Sequence, residues 1–415
     1  MRVIVIGAGM GGLTLAHALQ RAGIDVTVYD KDAAVDATGG YRLALDARAC
    51  EILRQHLSPQ RYQALPGSSV PPEVNHRLIF ADHRLRALSV TTWDPTGEAL
   101  QIGRVPLREL LAAGLDNPIR FGAAYTSHQV GDDGRVTAHF ADGSTDVGDV
   151  LVGADGSRSR VAAALAARST SAPVGFGGLA ARTPLDETNR RLLPAVLDDG
   201  AALALGPDGT GIFLTKHDPA ARAAVDPATC RDVAAITEAP ALIWSLITLD
   251  TLMPAEATRT LDGPGLLGFA LDAVRGWPED LRALIAAADP ASAAYYGFYA
   301  ADPDAELTPW PAGPVTALGD AVHAMPPTAG RAASTAIRDA DHLATELVAA
   351  HQGATTIPLA TLRFQKTMAT YAPDAVRESL VPLRWIKRLS HPLASGAARI
   401  GLPALAALHR VREAT

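Results

Sequence analysis

Three short runs in this 415-residue sequence have the residue types and spacing to hold a phosphorylated ligand. The first is Gly7-Ala8-Gly9-Met10-Gly11-Gly12, directly after the apolar run 3–6 and ahead of a helical pattern. In such a G-x-G-x-x-G turn Gly7 allows the tight bend, Gly9 lets the backbone approach a pyrophosphate, and Gly12 lets helix and strand pack closely. The anion then sits at the helix N-terminus, beside Met10 and Gly11. Eighteen residues past Gly12, Asp30 ends the next apolar run and is followed by Lys31. A carboxylate there can accept both ribose hydroxyls of an adenosine. This is chemistry for a dinucleotide, without saying which one.

The second run, 150–159 (VLVGADGSRS), is an apolar strand emptying into an Asp155-Gly156 turn. The third, 317–327 (ALGDAVHAMPP), is another apolar strand leading into Gly319-Asp320, followed by a proline loop through Pro327 and Gly330. Each places a carboxylate at a strand's C-terminal edge, where nucleotide crevices form in α/β sheets. Taken singly, either is an ordinary turn.

These residues need elements to position them. Residues 3–6, 13–22 and 26–29 read as strand, helix and strand, one βαβ opening. Helical patterns follow at 47–55 and 107–115, strands at 119–121, 136–140 and 150–152, and an alanine-rich helix at 162–167. Between 174 and 253 the pattern is β-rich, at 175–183, 201–205, 211–216 and 242–252, with Pro207-Asp208-Gly209 as a hairpin signal. Four prolines make 301–314 a loop leading into a strand at 315–318, and helices dominate beyond Ser334.

In this order and spacing the three runs resemble those of the class A flavin monooxygenases, the family typified by p-hydroxybenzoate hydroxylase. Residues 103–111 (GRVPLRELL) resemble that family's R-x-x-L-x-x-x-L element, and Asp339-Ala340 matches the helix of its last motif. The resemblance implies an α/β fold: a Rossmann-like FAD-binding domain, an interleaved β-sheet substrate domain and C-terminal helices. The FAD-binding part would comprise 1–72, 101–172 and 301–350, the substrate part 73–100 and 173–300, and the C-terminal helices 351–415. It implies FAD along one groove, with Gly7, Gly9, Gly12 and Asp30 on the ADP half, Asp320 accepting ribityl hydroxyls, and Arg104 as the compensating cation. Asp155 would serve both FAD and reduced nicotinamide. Gly40-Tyr41-Arg42 resembles a segment beside the flavin; Arg42, the one candidate for a catalytic role, would face flavin or substrate, or else be a solvated strand-start guanidinium.

The implied function is oxygenation of a hydrophobic, aromatic or polyketide-like small molecule with NAD(P)H as reductant and no metal, because the flavin carries the oxygen chemistry. Two departures bear on it. Ala162 stands where the family carries Arg, and 327–334 (PTAGRAAS) keeps only Gly330 of its glycines, with Ala332 and Ser334 at the later Gly and Asn. If position 332 needs a positive φ, Ala costs about 1 kcal/mol. That motivates one alternative, a tailoring enzyme of the same fold without net redox chemistry, such as a cyclase; a third reading is a non-catalytic flavin-binding protein. His323 has no metal-spaced partner and reads as a loop-packing or helix-end residue. Residues 381–389 (VPLRWIKRL) read as an amphipathic helix on the core or as a wall of the substrate entrance, and Tyr295, Tyr296, Phe298 and Trp244 as core or substrate-side aromatics.

Composition excludes other classes. A net charge of -7 and a pI of 5.9, with 33 Arg and four Lys scattered along the chain, give no field for nucleic acid. Cys50 and Cys230 lie far apart in neither disulfide-framework nor zinc spacing, which fits a reducing cytoplasm. No run of 18 apolar residues suggests an integral membrane segment.

Overall fold

The computed structural model describes residues 1–37, 40, 42–70, 77–92, 99–115, 119–198, 200–206, 209–218, 239–253 and 260–389. Tyr41, Cys230 and the Pro207-Asp208 half of the hairpin signal lie outside them. A four-stranded sheet organises the first part, in the order Val315–Ala317, Val150–Gly153, Arg2–Ile6, Asp25–Tyr29. All its pairs are parallel, with Val3 against Val150 and Val26, and Leu151 against Val315. Parallel strands are covered on both faces, which is why these read as unbroken apolar runs. One face packs against the helices Met10–Arg21 and Ala332–His351 through Leu15, Leu19, Ile337 and Leu343. The other is covered by an antiparallel sheet of Tyr125–Val130, Val136–Phe140 and Thr145–Gly148, with Ile4, Ile6 and Leu151 meeting Tyr125, Val136 and Phe140.

A seven-stranded sheet runs Ala294–Ala300, Ala172–Pro184, Ala241–Leu249, Thr210–His217, Gly200–Leu205, Arg77–Asp82, Ala87–Thr92. Residues 77–92 thus join strands more than a hundred positions away, pairing Arg77–Asp82 in parallel with Gly200–Leu205. One face is packed by the helices Gly263–Ala273 and Glu279–Ala286, around the fully buried Trp244. The opposite face takes the helix Ala372–Leu389 through Leu383 and Ile386, which meet Leu203, Leu205, Phe176 and Phe298. Residues 381–389 therefore pack on a core while presenting Arg384, Trp385 and Lys387 outward. Phe298 is core as well.

Two boundaries differ from expectation. The strand expected at 119–121 is a single bridge of Arg120 to Tyr29, because the next step turns away to bring Gly122 N–H to the Asp32 carbonyl. The first of the helices expected beyond Ser334 begins at Ala332, two residues earlier. Among the described residues no helix is long and apolar enough to cross a membrane.

Candidate cofactor site

All four parallel strands end at one edge of their sheet, and each continues into one of the sequence motifs: Ile6 into Gly7, Tyr29 into Asp30, Gly153 into Asp155, Ala317 into Gly319-Asp320. A cavity of about 400 Å³ runs along this edge. The whole turn Gly7, Gly9, Met10, Gly11, Gly12 lines it, and so do Asp30 and Lys31. Arg104, Asp155, Gly319 and Asp320 form its other walls.

The glycines divide by what a side chain would meet. Gly7 has φ +113°, and a Cβ there would lie 2.2 Å from the Ala154 carbonyl oxygen; at Gly12 it would lie 2.1 Å from that of Gly7. Both are needed for backbone to pass backbone. Gly9 has φ -82°, and a Cβ on it would meet nothing within 4 Å. The protein leaves that space open at the N-terminus of a twelve-residue helix, where first-turn N–H groups and the helix dipole favour an anion.

The carboxylates are held differently from one another. Asp30 is buried; its Oδ2 accepts from Ala8 N–H at 2.6 Å and lies 3.0 Å from Arg108, and its Oδ1 accepts from Asp32 N–H at 2.8 Å. Asp155 accepts from the Ser159 hydroxyl and from Arg160 N–H, which ties it to the start of the helix Arg160–Ala166 while it lines the cavity. Burial pushes its pKa up against those hydrogen bonds. Asp320 follows Gly319, whose φ of +63° makes the sharp turn. Its Oδ1 is shut from solvent without a hydrogen-bond partner among the described residues, and burial raises its pKa. Burial lowers the Arg104 pKa, opposed by the nearby Asp320 charge. A deeply held guanidinium thus stands near a carboxylate with an unmet acceptor.

A family model for an FAD binding domain matches residues 1–197 and 300–360. The chain belongs to this family. It is 29% identical over 383 residues to a dual O-methyltransferase/FAD-dependent monooxygenase of Cercospora beticola, covering 83% of this chain and 42% of that one. A FAD-dependent monooxygenase of Talaromyces islandicus is 26% identical, covering 94% of this chain and 95% of its own. The chain spans less than half the length of the dual-function relatives, 42% and 39% for those of Cercospora beticola and Phaeosphaeria nodorum. Among solved structures, a putative FAD containing monooxygenase from Photorhabdus luminescens superposes with a TM-score of 0.77 at 27% identity, covering 94% of this chain and 98% of that one. HpxO of Klebsiella pneumoniae, solved with FAD and uric acid, shares the fold at TM-score 0.73 and 21% identity, covering 98% of this chain and 92% of its own. The fold is that of the class A flavin monooxygenases, and FAD is its cofactor.

The residues of this FAD-binding chain fit that group. The open volume at Gly9 suits a pyrophosphate, and the unmet Asp320 Oδ1 suits a hydroxyl donor such as those of a ribityl chain. Arg42, Pro327 and Gly330 do not line the cavity. The Arg42 guanidinium reaches the seven-stranded sheet instead, donating to Thr215 Oγ1 at 2.7 Å and to the Lys216 carbonyl at 2.6 Å. Pro327 starts a short 3-10 turn, and Gly330 closes it with φ +66°.

The altered loop is unstrained. Ala332 is the first residue of the helix Ala332–His351 and is not among the positive-φ residues, so the left-handed requirement rests on Gly330 alone. Ala332, Ala333 and Ala336 line the cavity, so the helix N-terminus faces it. Ser334 accepts from Asp46 N–H at 3.0 Å and holds the strand Arg42–Leu45 against this helix.

His323 is fully buried, its Nε2 2.6 Å from Asp339 Oδ2, which also accepts from Gly319 N–H at 2.7 Å; Asp339 Oδ1 accepts from Tyr371 at 2.6 Å. Burial presses the His323 pKa down, but the Asp339 carboxylate outweighs it and the net direction is up. The histidine is a packing residue behind the Gly319 turn. Sequence reasoning gave no role to Arg108, although it lies one helical turn from Arg104 and lines the same cavity. The i,i+4 spacing was the signal for it.

Proposed function

We propose that this chain is an FAD-dependent monooxygenase that uses NAD(P)H and O2 to oxygenate a hydrophobic small molecule, aromatic or polyketide-like, in natural-product tailoring or catabolism. The observation that carries the proposal is the unstrained helix start at Ala332, which directs first-turn N–H groups and the helix dipole at the cavity despite the missing glycines. That arrangement offers a place for negative charge on a reduced cofactor. The loop change, which motivated a non-redox reading, loses its force once no strain is attached to it. Bound FAD supplies electron storage and oxygen activation.

The chain's residues take the remaining roles. The turn Gly7 to Gly12 holds the pyrophosphate, Asp30 and Lys31 bound the adenosine ribose, and Arg104 balances Asp320 beside the ribityl hydroxyls. Asp155, fixed by Ser159 and Arg160, keeps the groove's middle in place. In this reading residues 1–72, 101–172 and 301–350 build the cofactor part, and 73–100 with 173–300 the substrate part. Arg42 joins the two through Thr215 and Lys216. Zeaxanthin epoxidase of rice, 27% identical over 83% of this chain, is a relative named for a hydrophobic compound and supports that substrate class. A cytoplasmic location belongs to the same reading.

The test is an absorption spectrum of the purified protein, then NADPH oxidation and product mass with and without candidate substrates. An oxygenated product formed only with nicotinamide and O2 is expected. Anaerobic turnover without nicotinamide would replace this reading by the cyclase-like one.

A further inference from the structure

The helix Arg104–Ala112 carries two arginines one turn apart, both lining the cofactor cavity. Arg104 stands near Asp320 at one end. Arg108 serves the other end. It is 2% exposed. Its Nε donates to the Ala8 carbonyl at 2.9 Å, its Nη1 to Asp32 Oδ2 at 2.8 Å, and its Nη2 lies 3.0 Å from Asp30 Oδ2. The Phe121 ring lies 5.7 Å from its Cζ.

These contacts close a loop. Ala8 N–H donates to Asp30 Oδ2, and the Ala8 carbonyl accepts from the guanidinium that pairs with the same oxygen. Both polar groups of the residue between Gly7 and Gly9 are therefore satisfied inside the protein, which fixes the turn's orientation and leaves Gly9's side facing the cavity. Asp30 Oδ1 is engaged by Asp32 N–H, so the carboxylate's position is set from three sides. Charge gives a second reason. Asp30 and Asp32 both line the space that the adenosine half of an anionic dinucleotide would enter. A buried, fixed cation between them offsets their negative charge where it would otherwise repel a diphosphate.

We propose that Arg108 is a positioning residue of the ADP half of the site: it locks the glycine turn to the end of the second strand and offsets one of the two charges of the Asp30–Asp32 pair so that the groove accepts a diphosphate. Lysine would be a poor replacement, because a point charge cannot reach three acceptors in the planar arrangement a guanidinium spans. The inference rests on FAD as the cofactor.

The experiment measures FAD affinity of the flavin-stripped full chain by quenching of flavin fluorescence, with ADP as competitor. Arg108→Gln is expected to weaken FAD about 30-fold, equivalent to about 2 kcal/mol at 1.4 kcal/mol per tenfold, and to weaken ADP by a similar factor. Arg108→Lys should fall between. The double variant Arg108→Gln/Asp32→Asn, which removes the uncompensated charge, should regain at least a third of the lost factor, a recovery that a merely structural role would not produce. Wild-type affinity in Arg108→Gln, or no recovery in the double variant, would overturn the proposal. Should Arg108→Gln fail to fold, wild-type affinity in Arg108→Lys would overturn it and a weakening shared by FAD and ADP would support it. Wild-type protein that bound no FAD would instead overturn the cofactor reading itself.

Discussion

Two glycines two residues apart should fail in different ways when given a methyl group. At Gly7 the added Cβ would sit 2.2 Å from the Ala154 carbonyl oxygen and 2.9 Å from Asp155 N. Ordinary contact then requires the first strand's turn and the Asp155 turn to part by about 1 Å. Overpacking of this kind costs roughly 1–3 kcal/mol, and φ of +113° adds roughly 1–2 kcal/mol for a residue with a Cβ. Gly7→Ala should thus lose about 2–5 kcal/mol of stability without any ligand, roughly 2–6 °C in Tm for a protein of this size. Gly9→Ala should keep the flavin-free Tm, within about 0.5 kcal/mol, because φ is -82° and nothing lies within 4 Å of the new atom. Its methyl instead enters the space assigned to the pyrophosphate, and FAD should bind about 30-fold less tightly, about 2 kcal/mol. Differential scanning calorimetry of the flavin-free chain and a fluorescence titration with FAD measure the two quantities separately. If Gly9→Ala binds FAD like wild type, the pyrophosphate is not there; if Gly7→Ala melts like wild type, the contact with Ala154 is not the reason for that glycine.

Two titrating residues give further expectations. Because burial raises the Asp320 pKa, the folded chain takes up its proton more readily than the unfolded chain, so this group favours folding at low pH and opposes it as pH rises through the folded value. Asp320→Asn should therefore melt higher than wild type at neutral pH when flavin-free, with the gap closing toward acid, while FAD affinity falls about tenfold; a Tm gap constant with pH would refute this. His217 is lowered from 6.5 to about 4 by burial first and then by the Arg42 and Arg182 charges. It is neutral when folded, and its contribution is lost as pH falls from 6.5 through 4, amounting to about 3 kcal/mol at about 1.4 kcal/mol per pH unit. His217→Gln should lose less stability than wild type over that interval in denaturant titrations, and equal losses would remove the histidine from the account.

Much of the cofactor site was legible because its requirements are local. A glycine that must let backbone pass backbone, and a carboxylate that must stand at a strand end, are set by residues within a few positions, so Gly7, Gly12, Asp30, Asp155 and Asp320 could be located from runs of apolar residues and turns. Their order along the chain carried the family. Even the doubt at Ala332 was local, and it was settled by one local fact, that the left-handed position belongs to Gly330.

Only the tertiary structure decided which partner a long side chain reaches. Arg42, Arg104 and Arg108 are alike in sequence terms, each at the start of or within a short element. Arg42 turns to Thr215, 173 residues away; Arg108 reaches back 100 residues to Ala8; Asp339 collects Gly319, His323 and Tyr371. Periodicity reports the face a residue occupies, but a flexible guanidinium spans several neighbours from one Cα, and packing of distant segments selects among them. The strands at 77–92 make the same point, since their partner at 200–205 supplies the pairing that their own pattern does not reveal. The sequence by itself thus determined a parallel sheet with a dinucleotide-type glycine turn at its edge, and the packed chain decided which cations stand along that edge.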